Sequence, residues 1–127
     1  MNDVCNMHCD HCYLQLENIS GNWVKDDILT KILNSNFKHI AIVGKEPLFS
    51  KDHIDRLAQL LNKIKNYNRT TSVITNGKNL GLVDTNLLEN LDFIDISFDG
   101  GKETYSKFRM GNFKELKKQI QIIYSSG

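Results

Sequence analysis

Apolar and polar positions change period several times along the chain, and the changes predict helices alternating with strands. Ile28, Leu29, Ile32 and Leu33 recur at helical spacing behind Asp26 and Asp27, two carboxylates suited to a helix N-terminus. Residues 39–43, His-Ile-Ala-Ile-Val, form a short apolar run that stops at Gly44, the pattern of a buried strand. Ser50 is placed to cap a helix whose stripe is Ile54, Leu57, Leu60, Leu61 and Ile64. A second strand over residues 71–75 stops at Asn76-Gly77, and a short helix over residues 86–91 follows. A third strand over residues 93–98 stops at Asp99-Gly100-Gly101. The last helix carries Phe113, Leu116, Ile120 and Ile123 on one face, with Lys114, Lys117 and Lys118 off it. Residues 13–22 read as irregular, with Ser20-Gly21-Asn22 as turn residues.

Strands that alternate with helices pair in parallel, so the pattern predicts an α/β fold of βα units. Ligands in such folds bind beyond the C-terminal ends of the strands. The polar clusters fall there: Gly44-Lys45-Glu46-Pro47, Thr75-Asn76-Gly77 and Ser97-Phe98-Asp99-Gly100 each end a predicted strand. Each of them alone also fits an ordinary turn or strand end.

Composition narrows the class. The 127 residues suffice for one domain, and 40% hydrophobic with 24% charged residues fits a soluble globular protein. A formal net charge of +1 gives no bulk argument for nucleic acid or membrane partners. There is no apolar run of membrane-spanning length and no signal-peptide core at the N-terminus.

The three cysteines decide the chemistry. All lie in Cys5-Asn6-Met7-His8-Cys9-Asp10-His11-Cys12, with spacing C-x3-C-x2-C. An odd, clustered set without a signal sequence fits metal binding in a reducing cytoplasm better than a disulfide framework. Three thiolates on one loop leave one position of a metal centre open. His8 and His11 offer a zinc site of three cysteines and one histidine as the alternative. Zinc sites usually draw ligands from two separated pairs, however, and these histidines are interleaved with the cysteines. Arg109 reads as a surface charge unless a partner is found, and His39 and His53 read as structural.

Taken in order, these motifs resemble the radical S-adenosylmethionine (SAM) superfamily, in its branch of sulfatase-maturing and peptide-modifying enzymes. The series covers Cys5 to about Phe113: the cysteine loop, a G-x-E-P stretch, T-N-G, S-x-D-G and R-x-G. The resemblance implies a [4Fe-4S] cluster on Cys5, Cys9 and Cys12, with SAM chelating the fourth iron. It places His11 near the adenine, and Gly44, Lys45 and Glu46 at the methionine amino group. Ser97 and Asp99 would lie near the ribose or carboxylate with Asn76 close by, and Arg109 would neutralise the carboxylate. It also implies reductive cleavage of SAM to a 5′-deoxyadenosyl radical, an electron donor of flavodoxin or ferredoxin type, and a peptide or protein substrate. It identifies no catalytic residue beyond these.

Two departures qualify the expectation. Lys45 stands where the family carries a second glycine, and a positive φ there would be costly for lysine. The resemblance also predicts a partial, open TIM-like barrel over residues 1–127, with about four of six βα units and a stunted first strand. The exposed edge of such a sheet suggests a fragment, or a subunit that a partner chain completes. A non-enzymatic iron–sulfur or zinc module is the remaining alternative.

Overall fold

A computed structural model describes residues 4–16 and 23–126. Three parallel strands form one sheet: β1 (His39–Ile42), β2 (Thr70–Thr75) and β3 (Phe93–Ile96), in the order β1-β2-β3. His39 stands opposite Thr70 in the first pair and Ser72 opposite Phe93 in the second. The helices are α1 (Asp26–Leu33), α2 (Lys51–Lys65), α3 (Thr85–Leu88), α4 (Lys102–Arg109) and α5 (Phe113–Ser126). The class is therefore α/β with a parallel sheet, as the alternating periods predict.

The period-2 alternation sorts the strand residues by face. Ile42 and Val73 are fully buried against Ile54, Leu57, Leu61 and Ile64 of α2, and Ile40, Ile94 and Ile96 join that core. The opposite face leaves Val43, Ile74 and Phe93 exposed. On it His39 bridges two hydroxyls, Thr70 Oγ1 and Ser72 Oγ, each at 3.0 Å. Ser50 caps α2 as expected, accepting from the His53 N–H at 3.5 Å.

Several expectations are corrected. The described residues hold the three strands that the periods predict; of the stunted first strand implied by the resemblance, Val4 belongs to no strand and residues 1–3 lie outside the described residues. The third strand ends at Ile96 instead of continuing to Phe98. Phe98 leaves the sheet to pack its ring against Tyr105 and Phe113, 6.3 and 5.8 Å away between centroids. Residues 13–16, expected to be irregular, form a 3-10 turn, Tyr13–Leu16, while Ser20-Gly21-Asn22 lies outside the described residues. α4 was not predicted, because Tyr105 is its one buried residue and no apolar period marks it. Ile28 and Ile120, placed on apolar stripes by their spacing, are exposed.

A second, smaller core holds the cysteine loop. Met7 and Cys9 are buried with Tyr105 of α4 and Leu116 of α5, and Cys5, Cys12, Ile96 and Phe113 pack around them. The loop is thus seated by apolar contacts between the sheet's C-terminal edge and the last two helices.

Candidate functional site

Sequence alone puts the three cysteines on one loop; the fold brings that loop to the strand ends. Cys5, Cys9 and Cys12 line one cleft of about 190 Å³ together with His11, Gly44, Lys45, Asn76, Ser97 and Arg109. The residues come from the loops after all three strands and from the end of α4. Met7, Tyr13, Ile74 and Thr75 complete the wall and were not singled out as site residues. Ile74 was detectable by parity, since it alternates with the buried Val73 and Thr75.

Two expected residues, Glu46 and Asp99, are not part of the cleft lining. Glu46 is 1% exposed. Its Oε1 accepts from the Leu48 N–H at 2.9 Å and the Thr75 hydroxyl at 2.6 Å, and its Oε2 accepts from the Asn76 N–H at 2.8 Å. Burial pushes its carboxyl above the usual range, against the pull of those three hydrogen bonds and of Arg109. The side chain clamps the loop after β1 to the end of β2. Asp99 accepts from Arg109 Nε and lies 3.7 Å from His11 Nε2.

The cysteine loop is fastened on both sides. The Asp10 N–H donates to the Phe108 carbonyl at 3.0 Å, and the Cys9 thiol faces the Arg109 carbonyl at 3.7 Å. Lys78 Nζ donates to the Asn6 carbonyl at 2.9 Å. Gly111 allows a close approach: a Cβ there would come within 2.8 Å of Met7 Cε and of Tyr105 Cε1. Burial raises the Cys9 thiol pKa; Arg109 opposes the rise, while Cys5, Cys12 and Asp99 add to it.

The strain expected at Lys45 is absent, because its φ is not positive. Positive φ falls instead on Gly77 and Gly100, and on Asn68 and Met110 among the other described residues. Lysine is therefore accommodated in the loop after β1 without a backbone penalty.

Among the described residues, no three His, Cys, Asp or Glu side chains gather closely enough to chelate a single ion. The three thiols are unpaired and spaced around a cleft. A family model for the radical SAM superfamily matches residues 1–127. The chain belongs to the radical SAM superfamily. No curated protein and no solved structure matches it. Membership points to SAM-dependent radical chemistry with an iron–sulfur cluster, and the thiol-lined cleft of this radical SAM chain has the donor atoms for that cluster. No helix among its described residues is long and apolar enough to cross a membrane.

Proposed function

We propose that this chain is a radical SAM core that holds a [4Fe-4S] cluster on Cys5, Cys9 and Cys12 and cleaves SAM reductively. The carrying observation is the shared cleft: three thiols and the three strand-end motifs face one space. Cys5, Cys9 and Cys12 would hold the cluster, whose chemistry would be one-electron reduction of the SAM sulfonium, with the electron drawn from the external donor, to methionine and a 5′-deoxyadenosyl radical that abstracts a substrate hydrogen.

The chain's own residues bind and orient. SAM presents an ammonium, a carboxylate and ribose hydroxyls. Gly44, Lys45 and Ser97 line the cleft; in this reading the backbone carbonyls of Gly44 and Lys45 meet the ammonium, and the Ser97 hydroxyl serves the ribose or carboxylate. The Arg109 guanidinium has five donors, of which Nε is given to Asp99, so Asp99 fixes the fork that meets the carboxylate. His11 stands at the rim with its ring edge-on to Phe108, 6.2 Å between centroids, where an adenine can stack. Glu46 acts from behind by holding Thr75 and Asn76.

The order of the motifs supports the sulfatase-maturing and peptide-modifying branch, and with it a peptide or protein substrate and a donor of flavodoxin or ferredoxin type; the odd, clustered cysteines support a cytoplasmic setting. A second reading concerns assembly. Among the described residues Val43, Ile74 and Phe93 on one sheet face are exposed, and parallel sheets are ordinarily covered on both faces. Further strands, from a partner chain or from more of the same chain, complete the barrel in this reading.

Electron paramagnetic resonance (EPR) on anaerobically reconstituted, dithionite-reduced protein tests the proposal. The expected result is a [4Fe-4S]⁺ signal that changes when SAM is added. One zinc and no iron per chain would overturn it in favour of a zinc module, and a cluster indifferent to SAM would leave an iron–sulfur module without radical chemistry.

A further inference from the structure

The side-chain amide of Asn76 is oriented by a backbone donor. The Lys78 N–H, which can only donate, gives its hydrogen to Asn76 Oδ1 at 2.9 Å. That contact turns Nδ2 toward the cysteine loop. There Nδ2 donates to Asn6 Oδ1 at 2.8 Å and lies 3.7 Å from Cys5 Sγ. An amide nitrogen carries two hydrogens, one for each of these acceptors. The Asn76 backbone is pinned as well, by its N–H bond to Glu46 Oε2 at 2.8 Å. At 6% exposure the residue is largely shielded from water, which strengthens any dipole it aims at the sulfur.

We propose that Asn76 is a positioning residue for the cluster ligand Cys5, and that its side-chain N–H donates to the Cys5 sulfur and raises the reduction potential of the cluster. The inference rests on reading Cys5 as a cluster ligand. Reduction adds negative charge to the iron and its thiolates. A donor aimed at a ligand sulfur stabilises the more negative state more strongly, so its presence makes reduction easier. This role differs from the SAM contact expected at Asn76, because the amide is spent on the cysteine loop.

The test compares wild type with Asn76→Asp, Asn76→Ala and Asn6→Ala chains, reconstituted anaerobically without SAM. Iron per chain and the cluster midpoint, from an EPR-monitored redox titration, are the readouts. Asn76→Asp keeps shape and the acceptor for the Lys78 N–H, but replaces the donor facing sulfur with an anionic oxygen. Asn6→Ala removes the other acceptor and leaves the sulfur contact. The expected result is a lower potential in Asn76→Ala, by up to a tenfold drop in the reduction equilibrium constant, or about 59 mV for one electron. A larger fall is expected in Asn76→Asp, and the wild-type potential in Asn6→Ala.

Unchanged potentials in both Asn76 variants, with wild-type iron content, overturn the inference alone. A wild-type chain that takes up no iron overturns the reading of Cys5, and the inference with it. Should the Asn76 variants fail to fold, an Asn6→Ala chain labelled with ¹⁵N in its asparagine side-chain amides answers instead. A ¹⁵N hyperfine coupling to the reduced cluster supports the hydrogen bond, and its absence overturns it.

Discussion

The Glu46 carboxylate receives the backbone N–H of Asn76, 30 residues further along the chain, at 2.8 Å in a fully buried position. With Thr75 and Leu48 on the other oxygen, three donors from two strand-end loops converge on one side chain. Replacing Glu46 by glutamine keeps an acceptor for Thr75 and Leu48 but sets an amide NH2 against the Asn76 N–H. The expected cost is roughly 1–3 kcal/mol. Glu46→Ala strands all three donors and costs more. Urea denaturation of the three chains checks the order, and equal stabilities would refute the clamp.

The same carboxyl gives folding a pH dependence. Burial raises it above its ordinary value of 4.5, so between that value and the folded one the native state binds more protons than the unfolded chain. Its contribution is fully present below 4.5 and is lost as pH rises through the folded value. Wild-type stability minus that of Glu46→Gln, measured by denaturant midpoints across pH, is expected to decline with rising pH. A difference that grows with pH has the wrong sign for this mechanism.

Gly77 has φ +79°, and a Cβ there would come within 2.6 Å of Leu116 Cδ1 and 3.1 Å of Ile96 Cγ2. Gly77→Ala combines backbone strain with displacement of Leu116, which helps to seat the cysteine loop. The expected loss is about 1–3 kcal/mol. A thermal melt measures it, and a melting temperature equal to wild type would remove the strain argument.

Arg109 and Asp99 form a pair beside the cysteines, with the arginine side chain 13% exposed and the aspartate 34%. Arg109→Lys keeps the charge and loses the planar fork. SAM affinity, measured calorimetrically on the cluster-loaded chain, is expected to fall about tenfold, or roughly 1.4 kcal/mol. Thermal stability should change by less than for Gly77→Ala. Unaltered affinity would take Arg109 out of the SAM site.

Each cysteine is expected to be indispensable to full cluster occupancy. Cys5→Ser, Cys9→Ser and Cys12→Ser chains should each hold far less iron than wild type after anaerobic reconstitution, because the hard hydroxyl is a poor substitute for a thiolate. Cys9 is buried in the smaller core, so its variant should also lose thermal stability. Iron analysis and melts separate the two effects, and full iron content in any variant would exclude that residue as a ligand.

Much of this was written in local order. The alternation of periods gave the α/β class, and three polar motifs at strand ends marked one rim. The C-x3-C-x2-C spacing put three thiols in one neighbourhood, and the structure has all three lining one cleft. Local sequence determines those things because period, turn chemistry and ligand spacing act over a few residues. Other features depended on distant partners. α4 has one buried side chain and no readable stripe; it is held by the cysteine loop and α5 through Tyr105. The third strand was shortened by rings 7 and 15 residues beyond Phe98. Whether Glu46 meets a ligand or holds up the wall was decided by donors at the end of β2, and what the Asn76 amide meets was decided by acceptors on the cysteine loop. A polar side chain's role follows from which donors and acceptors surround it, and in this chain the tertiary fold supplies them across separations of 70 residues or more.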